Sequence, residues 1–123
     1  MTLLSLASKQ IWPQVLGFLH LNPRPDRLVL FHTDEEGESA GPARRLKELF
    51  ASQRLLPENA VELLRVPHDH FGDIVEALAA TAERLGLDES NCRVHFTGGN
   101  KLMALAAAEW CRLAGTPCFY LER

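Results

Sequence analysis

Two textures of apolar residues alternate along the chain. Short blocks with few polar interruptions cover residues 3–7, 27–32, 61–66, 92–96 and 117–121, and these predict strands buried on both faces. Between them, apolar residues return every three or four positions. Ile11, Val15, Leu16, Phe18 and Leu19 give a first helix its stripe; Pro13 suits its first turn, and Asn22-Pro23-Arg24-Pro25 ends it. A polar loop over residues 33–41 leads to a second helix with Pro42 near its start and Ala43, Leu46, Leu49 and Phe50 on its buried side. A third begins near Asp73, carries Ile74, Val75, Leu78, Ala79, Ala82 and Leu85, and closes at Gly86. Residues 100–114 form an Ala-rich fourth helix, stopped by Gly115 and Pro117.

Strands that alternate with helices favour parallel pairing, with helices on both faces of the sheet. The expected architecture is an α/β, Rossmann-like, three-layer doubly wound sheet of five βα units in the order 3-2-1-4-5. In that order strands 1 and 4 are neighbours where the winding reverses, and ligands bind beyond the carboxyl ends of the strands there. No repeat, low-complexity tract or linker interrupts the chain, so residues 1–123 are expected to form one domain.

Composition narrows the function classes. With 123 residues, 46% hydrophobic and 24% charged, the chain has the profile of an ordinary globular domain. A net charge of -3 argues against coating long nucleic acid, which needs many phosphates neutralised. No apolar run approaches the ~20 residues that span a bilayer, and Met1-Thr2-Leu3-Leu4 lacks the marks of a signal peptide, so a cytoplasmic protein without a membrane partner is expected. Cys92, Cys111 and Cys118 form no Cys-x-x-Cys pair and read as buried small hydrophobes; neither a metal nor a cofactor is expected.

The chemistry concentrates after strand 4, where Thr97-Gly98-Gly99-Asn100-Lys101 runs straight into a helix. Paired glycines allow close backbone approach, and first-turn amides without intrahelical partners attract an anion. Thr97 and Asn100 add donors and Lys101 a full charge, in a spacing that is neither a Walker A loop nor a dinucleotide fingerprint. The loop after strand 1, Ser8-Lys9-Gln10, is also polar and also precedes a helix, so both loops flanking the predicted crevice carry donors and a lysine. Thr33, at the end of strand 2, is placed at the ligand edge, and Ser39 joins it if its loop folds over the crevice.

Other polar groups read as bland. Asp34-Glu35-Glu36-x-Glu38 is expected to be a solvated loop, His68-x-His70 solvated loop residues, and Arg44-Arg45 a solvated helix face. His20, His32 and His95 sit in or beside apolar runs and read as core or boundary histidines. Trp12 and Trp110 are assigned to packing or to a dimer interface.

The stretch His95-Phe96-Thr97-Gly98-Gly99-Asn100-Lys101-Leu102-Met103-Ala104-Leu105-Ala106-Ala107, with Ser8-x-Gln10 and Pro13 one turn on, resembles the CARF (CRISPR-associated Rossmann fold) domain. In longer members that domain precedes a restriction-endonuclease-like nuclease. The specific part is Thr-Gly-Gly-x-Lys-x-Met, and Asn100 stands where the family usually has Thr. The resemblance implies a homodimeric sensor of cyclic oligoadenylates, the second messengers of type III CRISPR antiviral defence, with the tetra-adenylate as the expected ring. It further implies that Ser8, Lys9, Gln10 and residues 97–101 line a shared crevice; with no nuclease domain in residues 1–123, the expectation is either a sensor module expressed without its effector or a stand-alone CARF protein that itself cleaves the ring. Slow, metal-independent cleavage of the ring would fall to Lys101 and Ser8, Lys101 with the Gly98-Gly99 amides stabilising the phosphorane charge and Ser8 or Gln10 holding the ribose. The residues leave open an alternative, a small Rossmann-like regulatory domain that binds an ordinary mono- or dinucleotide.

Overall fold

A computed structural model describes residues 1–120. Five parallel strands form one sheet in the order β3-β2-β1-β4-β5: β1 Thr2–Leu6, β2 Arg27–His32, β3 Val61–Arg65, β4 Cys92–His95 and β5 Cys118–Phe119. The expected doubly wound topology is therefore what the chain adopts. Helices α1 Trp12–His20, α2 Gly41–Ser52, α3 Phe71–Leu85 and α4 Lys101–Ala114 connect the strands. Leu121, the last residue of the expected fifth strand, lies outside the described residues.

Alternate residues of each strand serve opposite cores, as a two-residue side-chain period requires. Leu4, Leu6, Val29, Phe31 and Val94 pack against α3 and α4 through Ile74, Leu78, Met103, Ala106 and Trp110. Leu3, Leu28 and Leu30 face the other way and meet Val15, Phe18, Leu46 and Phe50 of α1 and α2. The Phe18 and Phe50 rings cross edge to face at 4.9 Å, joining those two helices.

Three expectations are corrected. On α1, Val15 and Phe18 are buried together with Gln14 and Gly17, whereas Leu16 and Leu19 of the expected face are exposed, as is Trp12. The stripe turns because Gln14 is bonded to the end of β1 and Gly17 lies against the sheet, which fixes the rotation of the helix. Cys118 is exposed, since the short outermost strand leaves its face uncovered, while burial raises the thiols of Cys92 to about 11 and Cys111 to about 12. His20 is exposed rather than core, at the last turn of α1 beside the Phe119 ring at 5.8 Å.

Candidate ligand-binding cleft

The carboxyl ends of β1 and β4 open into a cleft of about 970 Å³. Of the residues singled out in the sequence, Ser8, Lys9, Gln10, Thr33, Ser39, Thr97, Gly99 and Asn100 line it together. Gly98 and Lys101 are not among the lining residues. Ala7, Pro13, Glu35, Glu38, Met103 and Tyr120 complete the wall.

Local chemistry shapes the β4–α4 turn. Gly99 takes φ +79°, a conformation that L side chains rarely adopt. Gly98 lies against the first strand: a Cβ there would stand 2.1 Å from Gln14 Nε2 and 2.2 Å from the Leu6 carbonyl oxygen. Those two atoms bond to each other, Gln14 Nε2 donating to Leu6 O at 2.7 Å, so Gly98 fits over the hydrogen bond that holds α1 to β1. Asn100 is the N-cap of α4; its Oδ1 accepts from the Met103 amide at 2.8 Å and its Nδ2 donates to the His68 carbonyl at 3.1 Å. Its side chain thus serves the helix and the β3–α3 loop as well as the cleft. Lys101, the first helical residue, is exposed.

Residues 34–38 of the β2–α2 segment are exposed, as expected of a solvated stretch, but the segment is ordered into a turn. A π turn over Glu36–Ala40 runs into α2, and within it Ser39 is buried. Its Oγ accepts from the Thr33 amide at 2.7 Å and lies 2.7 Å from Thr33 Oγ1, while Thr33 Oγ1 donates to Glu35 Oε1 at 3.4 Å. Glu35 and Glu38 are turned onto the cleft wall as a result. Asp34 instead meets His68 Nδ1 at 3.3 Å, and Glu36 pairs with Arg44. His68 is exposed, as expected, and is tied to the neighbouring loop by that contact; no group of three or more His, Cys, Asp or Glu able to hold a metal occurs among the described residues.

The electrostatics of the wall are mixed. Lys9 makes no ion pair among the described residues and lines the same cleft as Glu35 and Glu38. Positive potential without a countercharge comes from the first turn of α4, whose leading amides lack intrahelical acceptors. His95, directly before the turn, is wholly buried, and that burial, helped by the charge of His20, lowers its imidazole to about 4. It is uncharged at neutral pH.

The sequence reading missed Glu35, Glu38 and Tyr120 as wall residues. Tyr120 follows the last strand and tilts against Phe96 with ring centroids 5.7 Å apart, presenting an aromatic face at the cleft. The expected strand order, which sets β5 beside β4, already placed the end of β5 at this rim.

No family profile matches the chain, and no curated protein matches it. Solved structures do. Can2 from Sulfobacillus thermosulfidooxidans, in complex with cyclic tetra-adenylate (cA4), superposes with a TM-score of 0.76 at 21% identity over 98% of this chain. Protein VC1899 from Vibrio cholerae gives 0.77 at 16% identity over 98% of this chain. This chain spans 32% of the first of those chains and 30% of the second. At such identities the likeness shows the fold alone, a doubly wound Rossmann-like sheet. Among the described residues no helix is long and apolar enough to cross a membrane.

Proposed function

We propose that this domain binds a cyclic oligoadenylate, most fittingly the tetra-adenylate, as a homodimer that brings two clefts together about a two-fold axis. The observation that carries the reading is the cleft at the β1/β4 reversal, where Lys9, Thr97, Asn100 and the first turn of α4 meet on one wall. A structural neighbour of the same fold is known in complex with cA4, which supports that ligand class over an ordinary mononucleotide. An adenylate ring offers phosphates to the turn of α4 and flat bases to Tyr120. A dimer doubles these half-sites for a ligand that has rotational symmetry of its own.

Ring cleavage is the finer version of this reading. In it the ring's own 2′-hydroxyl attacks the adjacent phosphorus and the 5′-oxygen leaves, so that no outside nucleophile is needed. Of the two residues proposed for that step, Ser8 lines the cleft and Lys101 does not, and binding without turnover is the version we hold.

Titration calorimetry with cyclic tri-, tetra- and hexa-adenylate, AMP as comparator and light scattering on the same samples tests both parts. Tighter binding of one ring than of AMP, at one ring per dimer, is the expected result. A monomer that binds AMP and the rings alike would leave the mononucleotide reading in its place. Chromatography after incubation in EDTA should return the intact ring, and linear products ending in a 2′,3′-cyclic phosphate would restore cleavage.

A further inference from the structure

The cysteines converge on one side of the sheet. Parallel neighbours in register turn their side chains to the same face, and Cys118 of β5 is in register with Val94 of β4. Val94 belongs to the core beneath α3 and α4 together with Cys92 and Cys111, so Cys118 faces the side on which Cys111 begins the last turn of α4. The two thiols meet there, that of Cys111 hydrogen-bonded to that of Cys118. Phe119, the next residue, faces the other way and stacks on His95.

The chain between the two cysteines is reversed by bonds that need no covalent tie. Gly115 takes φ +68° as the C-cap of α4, and its amide and that of Thr116 both donate to the Cys111 carbonyl, Thr116 at 3.1 Å. A bridge can therefore close over a turn that is already made. The two sulfurs differ in what they can do. Cys118 is exposed, whereas Cys111 is only 3% exposed. Cys111 also keeps its proton at neutral pH, since burial first and the adjoining Cys118 second push its thiol up to about 12. An oxidant reaches Cys118, and a protonated thiol lies ready beside it.

We propose that Cys118 and Cys111 form a peroxide-responsive pair, in which Cys118 is oxidised first and Cys111 resolves it into a disulfide. The Cys118 thiolate attacks one oxygen of hydrogen peroxide, the O–O bond breaks, and the departing hydroxide takes up the proton that the thiol gave up, leaving a sulfenic acid. Cys111 then bonds to the Cys118 sulfur, the S–O bond breaks, and the leaving hydroxide takes the Cys111 proton. Two thiols are oxidised to one disulfide and one peroxide is reduced to two waters. Cys92 stays out, being wholly buried with its thiol turned to the Arg93 carbonyl at 3.9 Å. The bridge ties an outer strand to a covering helix. β5 pairs with β4 alone, through the Val94 and Phe96 amides that donate to the Pro117 and Phe119 carbonyls at 3.1 Å each, and Tyr120 of the cleft wall follows it directly. An effect on ring binding through Tyr120 rests on the ligand reading above; the thiol chemistry does not.

Hydrogen peroxide added to the reduced full chain, followed by thiol alkylation and tryptic peptide mapping, tests the pair. Arg93 and Arg112 place the three cysteines in different tryptic peptides, so the partners in any bridge are identified. Loss of two thiols per chain, with Cys111 joined to Cys118, is expected. A bridge that uses Cys92, a bridge between two copies, or oxidation of Cys118 without a bridge overturns the proposal. Cys118→Ser, at an exposed position, should leave both remaining thiols reduced, and loss of Cys111 to the oxidant in that variant removes Cys118 from its role. In the bridged protein the melting temperature should rise by about 5 °C, and hydrogen exchange at the Val94 and Phe96 amides should slow. Exchange that the bridge leaves unchanged overturns the tie on β5. A protein that ignores cyclic tetra-adenylate would sink the ligand reading and leave the thiol results intact.

Discussion

Two hydrogen-bond chains reach the cleft from buried hydroxyls, and they end on different things. From the β2 side Ser39 meets Thr33, and Thr33 donates to Glu35, a carboxylate that belongs to the protein. From the β4 side Ser5, His95 and Thr97 run in line to the cleft wall, with the uncharged ring between the hydroxyls. The first chain ends on a carboxylate of the protein and builds a wall; the second passes through an uncharged ring to Thr97, a residue that lines the same cleft. The polar residues of the cleft therefore divide into those that hold its shape and those that face its contents, and nearness to the cleft does not sort them.

The largest expected effect tests how differently the two segments are built. Gly98→Ala places a methyl group within the Gln14–Leu6 hydrogen bond, so it strains the turn and orphans a buried amide. Overpacking and a lost buried bond together should cost about 4 kcal/mol. A Cβ on Gly37, in the π turn, would meet nothing within 4 Å, and Gly37→Ala should change stability by less than about 0.5 kcal/mol. Urea unfolding of the pair measures both, and equal costs would erase the distinction.

The second effect belongs to the histidine chain alone. Its imidazole is near 4 in the folded protein against 6.5 ordinarily, so the unfolded chain binds the proton more readily. Stability is then complete above pH 6.5 and falls as the pH drops toward 4, by about 3 kcal/mol at ~1.4 kcal/mol per pH unit. His95→Gln should flatten that window in chemical unfolding curves taken across it. A wild-type curve with no slope there would contradict the buried, uncharged ring.

The same contrast explains what was legible in the sequence. The β4–α4 turn could be read because its conformation is set by the residues in it: Gly99 supplies the positive φ and Asn100 caps the helix that follows. The strands were legible for a related reason, since block length and periodicity are local signals, whereas their order and the cleft at the β1/β4 reversal followed from the fold class that the alternation implies. The β2–α2 segment was not. Four acidic residues between positions 34 and 38 look solvated in sequence and are exposed; what local signals do not show is the turn that draws Ser39 inward to the Thr33 amide, a bond that exists only once β2 is in the sheet. The exposed stripe of α1 escaped for the same reason: a buried Gln14 bonded to Leu6 outweighs the pattern of apolar residues.

Ser39→Ala comes next in size. It leaves the buried Thr33 amide without its acceptor, which should cost about 2 kcal/mol in unfolding experiments. Ring affinity should change little in the folded variant, because this chain ends on Glu35. A variant of full stability that had lost binding would assign Ser39 to the ligand and reverse the division drawn above.

The two lysines give a smaller, purely electrostatic contrast. Lys9 lines the cleft, and Lys9→Ala should weaken ring binding about tenfold, the worth of one charge-assisted hydrogen bond. Lys101 is exposed and off the wall, and Lys101→Ala should weaken binding about threefold by long-range attraction alone. Calorimetry that reverses this order would mean that the ring reaches out over the start of α4.

The smallest expected effect is a gain. Glu38 lines the cleft without an ion pair among the described residues, so a polyanion entering beside it meets a like charge. The energy at stake is modest, because Glu38 is exposed and water and salt screen it. Glu38→Gln keeps the size of the side chain and its ability to accept a bond from a base amine, and removes only the charge. Binding of cyclic tetra-adenylate should therefore tighten by about twofold to threefold at low salt, and the gain should fade as ionic strength rises. A loss of affinity that salt leaves untouched would show a carboxylate holding a base amine directly, and Glu38 would pass from the residues that hold the cleft's shape to those that face its contents.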